Sequence, residues 1–170
     1  MPSRVSGGKK LTLVIGLRWA TKEGEAVLIT SDSKVTTDVG VAYEMKKIYP
    51  IMLDDSYVAV VGVAGHTSLA KQGFETAEEI LSIHAERQYP IPYIKFKRAV
   101  REIEETLVKR LSQLRGYGID PRFQMILGSL DLDGKASLYR FDSSGLSEAV
   151  HDNPGYAIIG SGMATGGVLL

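Results

Sequence analysis

The chain has no cysteine and no surplus of either charge: 20 Lys and Arg stand against 20 Asp and Glu, a formal net charge of zero. Without thiols there can be no disulfide scaffold, thiolate zinc site, iron–sulfur cluster or cysteine nucleophile. The even charge balance, with a pI near 6.8, argues against a dedicated nucleic-acid binder, which carries an electropositive face. Long apolar runs are also lacking. The first, Leu11 to Leu17, is broken by Arg18 after seven residues, too short for a signal-peptide core or a membrane span. The longest elsewhere, Tyr57 to Ala64, contains Gly62 and stops at Gly65-His66, which suits a buried strand. These absences predict a cytoplasmic protein with neither a membrane nor a nucleic-acid partner. His66, His84 and His151 follow no ligand spacing, and neither a phosphate-binding Gly-rich loop nor a G-x-S-x-G elbow is present, so no metal or cofactor is expected.

What is there is enough for one self-sufficient domain. With 170 residues, 44% of them hydrophobic, a chain buries about 70% of its unfolded surface and needs no metal or disulfide to hold a core. Leu11 to Trp19 and Ala26 to Thr30 are rich in β-branched and apolar residues around Lys22-Glu23-Gly24-Glu25, which predicts a hairpin with Thr12 opening its first strand. Lys47 to Ile51 and Tyr57 to Val63 predict two further strands around a turn at Leu53 to Ser56. From Thr67 the period changes. Leu69, Gly73, Ala77, Ile80, Leu81, Ile83 and His84 recur at helical spacing, predicting an amphipathic helix over residues 67–87. Tyr89-Pro90-Ile91-Pro92 interrupts it, because proline removes a donor and restricts its predecessor. A second helix is predicted over 94–115 from Phe96, Val100, Ile103, Leu107 and Leu111. Strands resume at Phe123 to Leu130, Ala136 to Phe141 and Tyr156 to Ile159, and a third helix is expected to begin near Met163. Two adjacent helices between blocks of strands, without β-α-β alternation, predict an α+β layered fold with antiparallel sheets. The apolar end Val168-Leu169-Leu170 leads us to expect further residues beyond it.

Polar residues sit at the ends of the apolar strands: Thr12, Asp32, the pair Lys46-Lys47, Gly62, and Ser161 in a Gly-Ser-Gly turn. Singly, each has an ordinary explanation as strand residue, turn former, edge gatekeeper or bulge. Together they form a pattern. Thr-x-x-x-Gly on the first strand, Ser31-Asp32-Ser33-Lys34-x-Thr, Lys46-Lys47-Ile48-Tyr49, Val61-Gly62-Val63-Ala64-Gly65 before a helix, and Tyr156-Ala157-Ile158-Ile159-Gly160-Ser161-Gly162 resemble a proteasome β-type subunit over residues 12–170.

That resemblance implies an N-terminal-nucleophile hydrolase, a four-layer α-β-β-α sandwich whose first mature residue is the catalyst. Residues 1–11 would be a propeptide or N-terminal extension and Thr12 the nucleophile, with its freed α-amine as general base. Leu11 stands where the family usually has glycine. A lysine held by Asp32 would lower the effective pKa of the hydroxyl. Either Lys46 or Lys47 can take that role, since the loop after Asp32 is one residue shorter than the family's. Lys47 is favoured because it directly precedes Ile48-Tyr49. Gly62 would donate its amide to the oxyanion, Ser161 would orient the α-amine, and Thr36 with Gly62 would pair with an extended peptide. Val35, Met45, Val60 and Ala64 would line an apolar pocket for the residue before the cut bond. The implied partners are a peptide or unfolded protein substrate and a homo-oligomeric ring, with an α-type ring or an ATPase as further candidates. The same scaffold would also serve an inactive structural subunit, or an amidase or transpeptidase of different substrate.

Overall fold

The computed structural model describes residues 12–32, 34–36, 42–44 and 46–160. β1 (Val14–Thr21) and β2 (Gly24–Ser31) form the expected hairpin around Lys22-Glu23, and β10 (Tyr156–Ile159) pairs along the other side of β1. This gives a three-stranded sheet in the order β10-β1-β2. Among the described residues, β3 (Lys34–Thr36) and β4 (Ala42–Glu44) pair with each other alone. A five-stranded sheet runs β5 (Ile48–Leu53), β6 (Ser56–Gly65), β7 (Phe123–Leu130), β8 (Ala136–Phe141) and β9 (Ser147–Ala149), every neighbouring pair antiparallel. Pro50 lies in β5, the edge strand, where a missing N–H costs least. α1 (Thr67–Ala85) and α2 (Tyr93–Gly116) connect β6 to β7 and pack on one face of that sheet.

Period-two alternation decides which side chain enters which layer. Along β7, Phe123, Met125 and Leu127 join the helix-facing core with Ile51, Leu81, Phe96, Ile103 and Phe141. Ile126 points the other way, into a smaller core between the sheets with Val14, Leu138, Ala157 and Ile159. A strand buried on both faces therefore reads as a continuous apolar run. The sheets approach most closely where glycines leave room. A Cβ at Gly16 would lie 2.9 Å from Ile126 Cγ2, and one at Gly62 would lie 2.6 Å from Val14 Cγ1 and 3.0 Å from Ile29 Cγ2. Gly62→Ala is expected to destabilise the protein by about 1–3 kcal/mol, because the added methyl must displace branched side chains anchored in the opposing sheet. Urea unfolding checks this, and a midpoint equal to that of the wild type would contradict it.

The far end of the sandwich is closed by a polar clasp. Arg18 donates to both Glu25 oxygens, at 2.7 and 3.3 Å, and Glu25 also accepts the Ala136 N–H at 2.6 Å. The Arg18 guanidinium and then the Ala136 amide hold the Glu25 carboxyl below the usual carboxylate range.

Three sequence expectations change. β1 begins at Val14, because the Leu13 N–H is taken by the Asp32 side chain at 3.0 Å. Ile83, expected on the buried stripe of α1, is 62% exposed, since its angular position falls outside the arc running from Leu69 to Ala85. β9 was not expected. It is a short polar edge strand, secured by pairing with β8 and by Glu104 Oε2, which accepts from Ser147 N and Oγ. Among the described residues, one helical layer and two sheets supply three of the four expected layers. The helix expected near Met163 and the segment 1–11 lie outside the described residues. No helix among them is long and apolar enough to cross a membrane.

Candidate active site

Thr12 lies immediately ahead of β1, partly buried, and Asp32 lies immediately after β2. The hairpin register makes them neighbours: Val14 pairs with Ser31, and one step further the Asp32 N–H donates to the Leu13 carbonyl at 3.2 Å. The Asp32 side chain then closes the corner. Its Oδ1 accepts the Leu13 N–H at 3.0 Å and the Lys47 ammonium at 2.9 Å. One carboxylate oxygen therefore ties a cation to the residue directly following Thr12.

Lys47 is delivered from the other sheet. It stands one residue before β5, and its carbonyl accepts from Val63 N at 2.9 Å. Its side chain is 5% exposed, against 35% for Asp32. A lysine is rarely buried to that degree without a counter-ion, and Asp32 supplies one. Lys46 points the opposite way. It is exposed, with its ammonium 5.3 Å from the centroid of the Tyr49 ring. Of the two lysines, Lys47 is thus the one whose ammonium reaches Asp32.

Gly62 sits centrally in β6, opposite Ile48 and Ile126. The space that its missing side chain leaves is filled by Val14 and Ile29, so sheet packing already demands a glycine there. Val60 and Ala64 share its face of β6 by alternation. Ala64 is buried in the core between the sheets, and Val60 is half-buried. Val35 and Thr36 belong to β3, paired with Tyr43 and Ala42 of β4. Met45 and Ser161 lie outside the described residues.

One polar contact beside Thr12 had gone unnoticed in the sequence. Gln124 of β7 accepts the Gly160 N–H on its Oε1 at 2.8 Å. Gly160 has φ +100°, and a Cβ there would collide with the Thr12 carbonyl, so only glycine fits. The available signal was a lone polar residue inside the otherwise apolar run from Phe123 to Leu127.

Two clefts open elsewhere. One lies between α1 and α2, floored by Leu69, Leu107, Leu111 and Phe123, and the other lies beside the Arg18–Glu25 clasp. Neither includes Thr12, Asp32 or Lys47, and chemistry rather than concavity marks the site. No cluster of metal-ligating side chains occurs among the described residues.

Helices over a five-stranded sheet over a three-stranded sheet, all antiparallel, are consistent with three of the four layers of the N-terminal-nucleophile hydrolase fold. Residues 19–167 match the family model described as proteasome subunit, and the chain belongs to the proteasome subunit family. The match takes in Asp32, Lys47 and Gly62 and begins beyond Thr12. No curated protein matches the chain. Membership implies assembly into a multi-subunit ring and points to hydrolase chemistry in general.

Proposed function

We propose that the chain is a threonine-type endopeptidase of a proteasome-like assembly, with Thr12 as its nucleophile once residues 1–11 have been removed. The observation that carries this reading is the single Asp32 oxygen shared by the Lys47 ammonium and the Leu13 N–H. An inert scaffold has no need of a buried lysine–carboxylate pair at the start of β1, whereas a threonine hydroxyl does. A free hydroxyl is a weak nucleophile. Held near a fixed positive charge, its alkoxide character costs less.

In the proposed reaction, Thr12 Oγ attacks the scissile carbonyl while the Thr12 α-amine accepts the hydroxyl proton. The peptide C–N bond breaks as that proton passes to the leaving amine, and the acyl group remains on Oγ as an ester. Water, deprotonated by the same amine, then releases the acid. An α-amine has an ordinary pKa near ~8 and suits this task, whereas the amide nitrogen of an unprocessed Thr12 cannot accept a proton. The Gly62 amide is the proposed oxyanion donor, Ser161 the proposed partner of the α-amine, and Thr36 the proposed backbone partner of the substrate. Val35, Met45, Val60 and Ala64 are all apolar, which favours a large hydrophobic side chain before the cut bond. Homo-oligomeric assembly encloses this cleft, and a cytoplasmic setting suits it.

Leu11 before Thr12 favours a second reading, an inactive structural subunit that never exposes Thr12. Intact-mass measurement of assembled protein, paired with a fluorogenic peptide carrying a large apolar residue before the cut, separates the two. Loss of residues 1–11 together with hydrolysis is the expected result. A chain that keeps those residues under all conditions and cleaves nothing is the structural subunit.

A further inference from the structure

Asp32 and Leu13 lie on one side of Thr12. On its other side the main chain of Gly160 lies against the Thr12 carbonyl so closely that a Cβ would not fit. The β10–β1 register explains the meeting, because Val14 pairs with Ile159 and the next step outward places Gly160 opposite Leu13. Among the described residues Gly160 is past the last pair of that ladder. Its N–H is held by Gln124 Oε1 at 2.8 Å, and Gln124 belongs to the five-stranded sheet, paired with Ala64 of β6.

This hydrogen bond joins the two sheets at the catalytic end of the sandwich. Alternation along β7 sends Phe123 and Met125 to the helix side, so Gln124 and Ile126 face the three-stranded sheet. At every other position where the two sheets meet in the core around Ile126, the side chains are aliphatic or glycine. A carboxamide placed there must find a partner, and it finds a main-chain donor that abuts Thr12.

We propose that Gln124 is a positioning residue, which sets where the Thr12 main chain lies relative to Lys47 by anchoring Gly160. The proposal rests on the reading of Thr12 as nucleophile. Lys47 and Gly62 come from the same sheet as Gln124, and Thr12 comes from the opposite one. The Gln124–Gly160 bond therefore acts on the separation between nucleophile and cation, a quantity for which a displacement of about 1 Å can cost on the order of 100-fold in rate.

The test compares wild type, Gln124→Met and Gln124→Glu as processed, assembled protein, with steady-state kinetics on one fluorogenic peptide well below the melting temperature. Methionine matches the shape of glutamine and removes the acceptor, whereas glutamate retains an acceptor oxygen for the Gly160 N–H. The expected result is a roughly tenfold lower kcat for Gln124→Met with KM within twofold, and recovery of most of that kcat in Gln124→Glu. A tie that served folding alone would lower the melting temperature and leave kcat per folded site untouched. If Gln124→Met does not assemble, Gln124→Asn replaces it, since one methylene less withdraws the oxygen from Gly160 and the same loss of kcat is expected. A wild-type kcat in the acceptor-deficient variant, or an equal loss in Gln124→Glu, overturns the role of Gln124 while leaving Thr12 in place. An inactive wild type whose chain begins at Thr12 overturns both.

Discussion

Thr12→Ala is expected to remove peptidase activity, by on the order of 10⁴-fold or more, and to leave residues 1–11 attached. Both effects follow from one oxygen atom. On the proposed reading, Oγ is the atom that becomes acylated in the mature protein. On the same reading, this Oγ is the group that would attack the Leu11 carbonyl in the unprocessed chain. That attack would convert the Leu11–Thr12 amide to an ester, which water then cleaves. Thr12→Ser retains the hydroxyl and is expected to process and to hydrolyse peptide. Intact mass and fluorogenic turnover, measured on the same preparations, check both outcomes. If Thr12→Ala matches the wild type in mass and in rate, Thr12 is not the nucleophile and the enzymatic reading fails.

Lys47→Ala is expected to be nearly as damaging, at about 100- to 1000-fold in kcat/KM, or about 3–4 kcal/mol of lost electrostatic stabilisation. The cation is 5% exposed and its Nζ lies 2.9 Å from Asp32 Oδ1, so water does not substitute for it readily. Lys47→Arg is not expected to rescue. A planar guanidinium needs more room and different hydrogen-bond directions than a compact ammonium. Asp32→Asn separates the two duties of that side chain. Asparagine keeps an oxygen for the Leu13 N–H and loses the charge that holds Lys47, so its rate is expected to fall between wild type and Lys47→Ala. Asp32 is about one-third exposed, and solvent screening tempers the effect of removing its charge. Steady-state kinetics with thermal melts on the three variants check the order. Full activity in Lys47→Ala would exclude the lysine from the reaction.

Much of the scaffold was legible because it depends on local pattern. Strands at Phe123–Leu130, Ala136–Phe141 and Tyr156–Ile159 occupy the residues expected of them. Both faces of β7 are buried, which writes a continuous apolar run, and the helix hairpin announces itself through its change of period and the Pro90 and Pro92 break. β9 escaped because a three-residue edge strand of Ser147-Glu148-Ala149 carries no hydrophobic alternation, its stability coming from β8 and from Glu104 on α2. Ile83 misled because residue type alone does not show where a buried arc ends.

The candidate site divides in the same way. By itself the sequence determined most of the elements and the helix-over-sheet layering, and its motifs carried the family resemblance that singled out Thr12, Asp32 and Lys47 among the polar residues at strand ends. The elements and layering are set by composition and periodicity, which are properties of contiguous segments. Only the tertiary structure decided which of Lys46 and Lys47 reaches Asp32, since the two differ by one step of alternation. It also decided that Gly62 is required by the close packing of Val14 and Ile29 across the sheets, and that Gln124, 112 positions from Thr12 in sequence, anchors the Gly160 main chain beside it. Each of these is a contact between segments far apart along the chain, and it exists only once the two sheets have closed on one another.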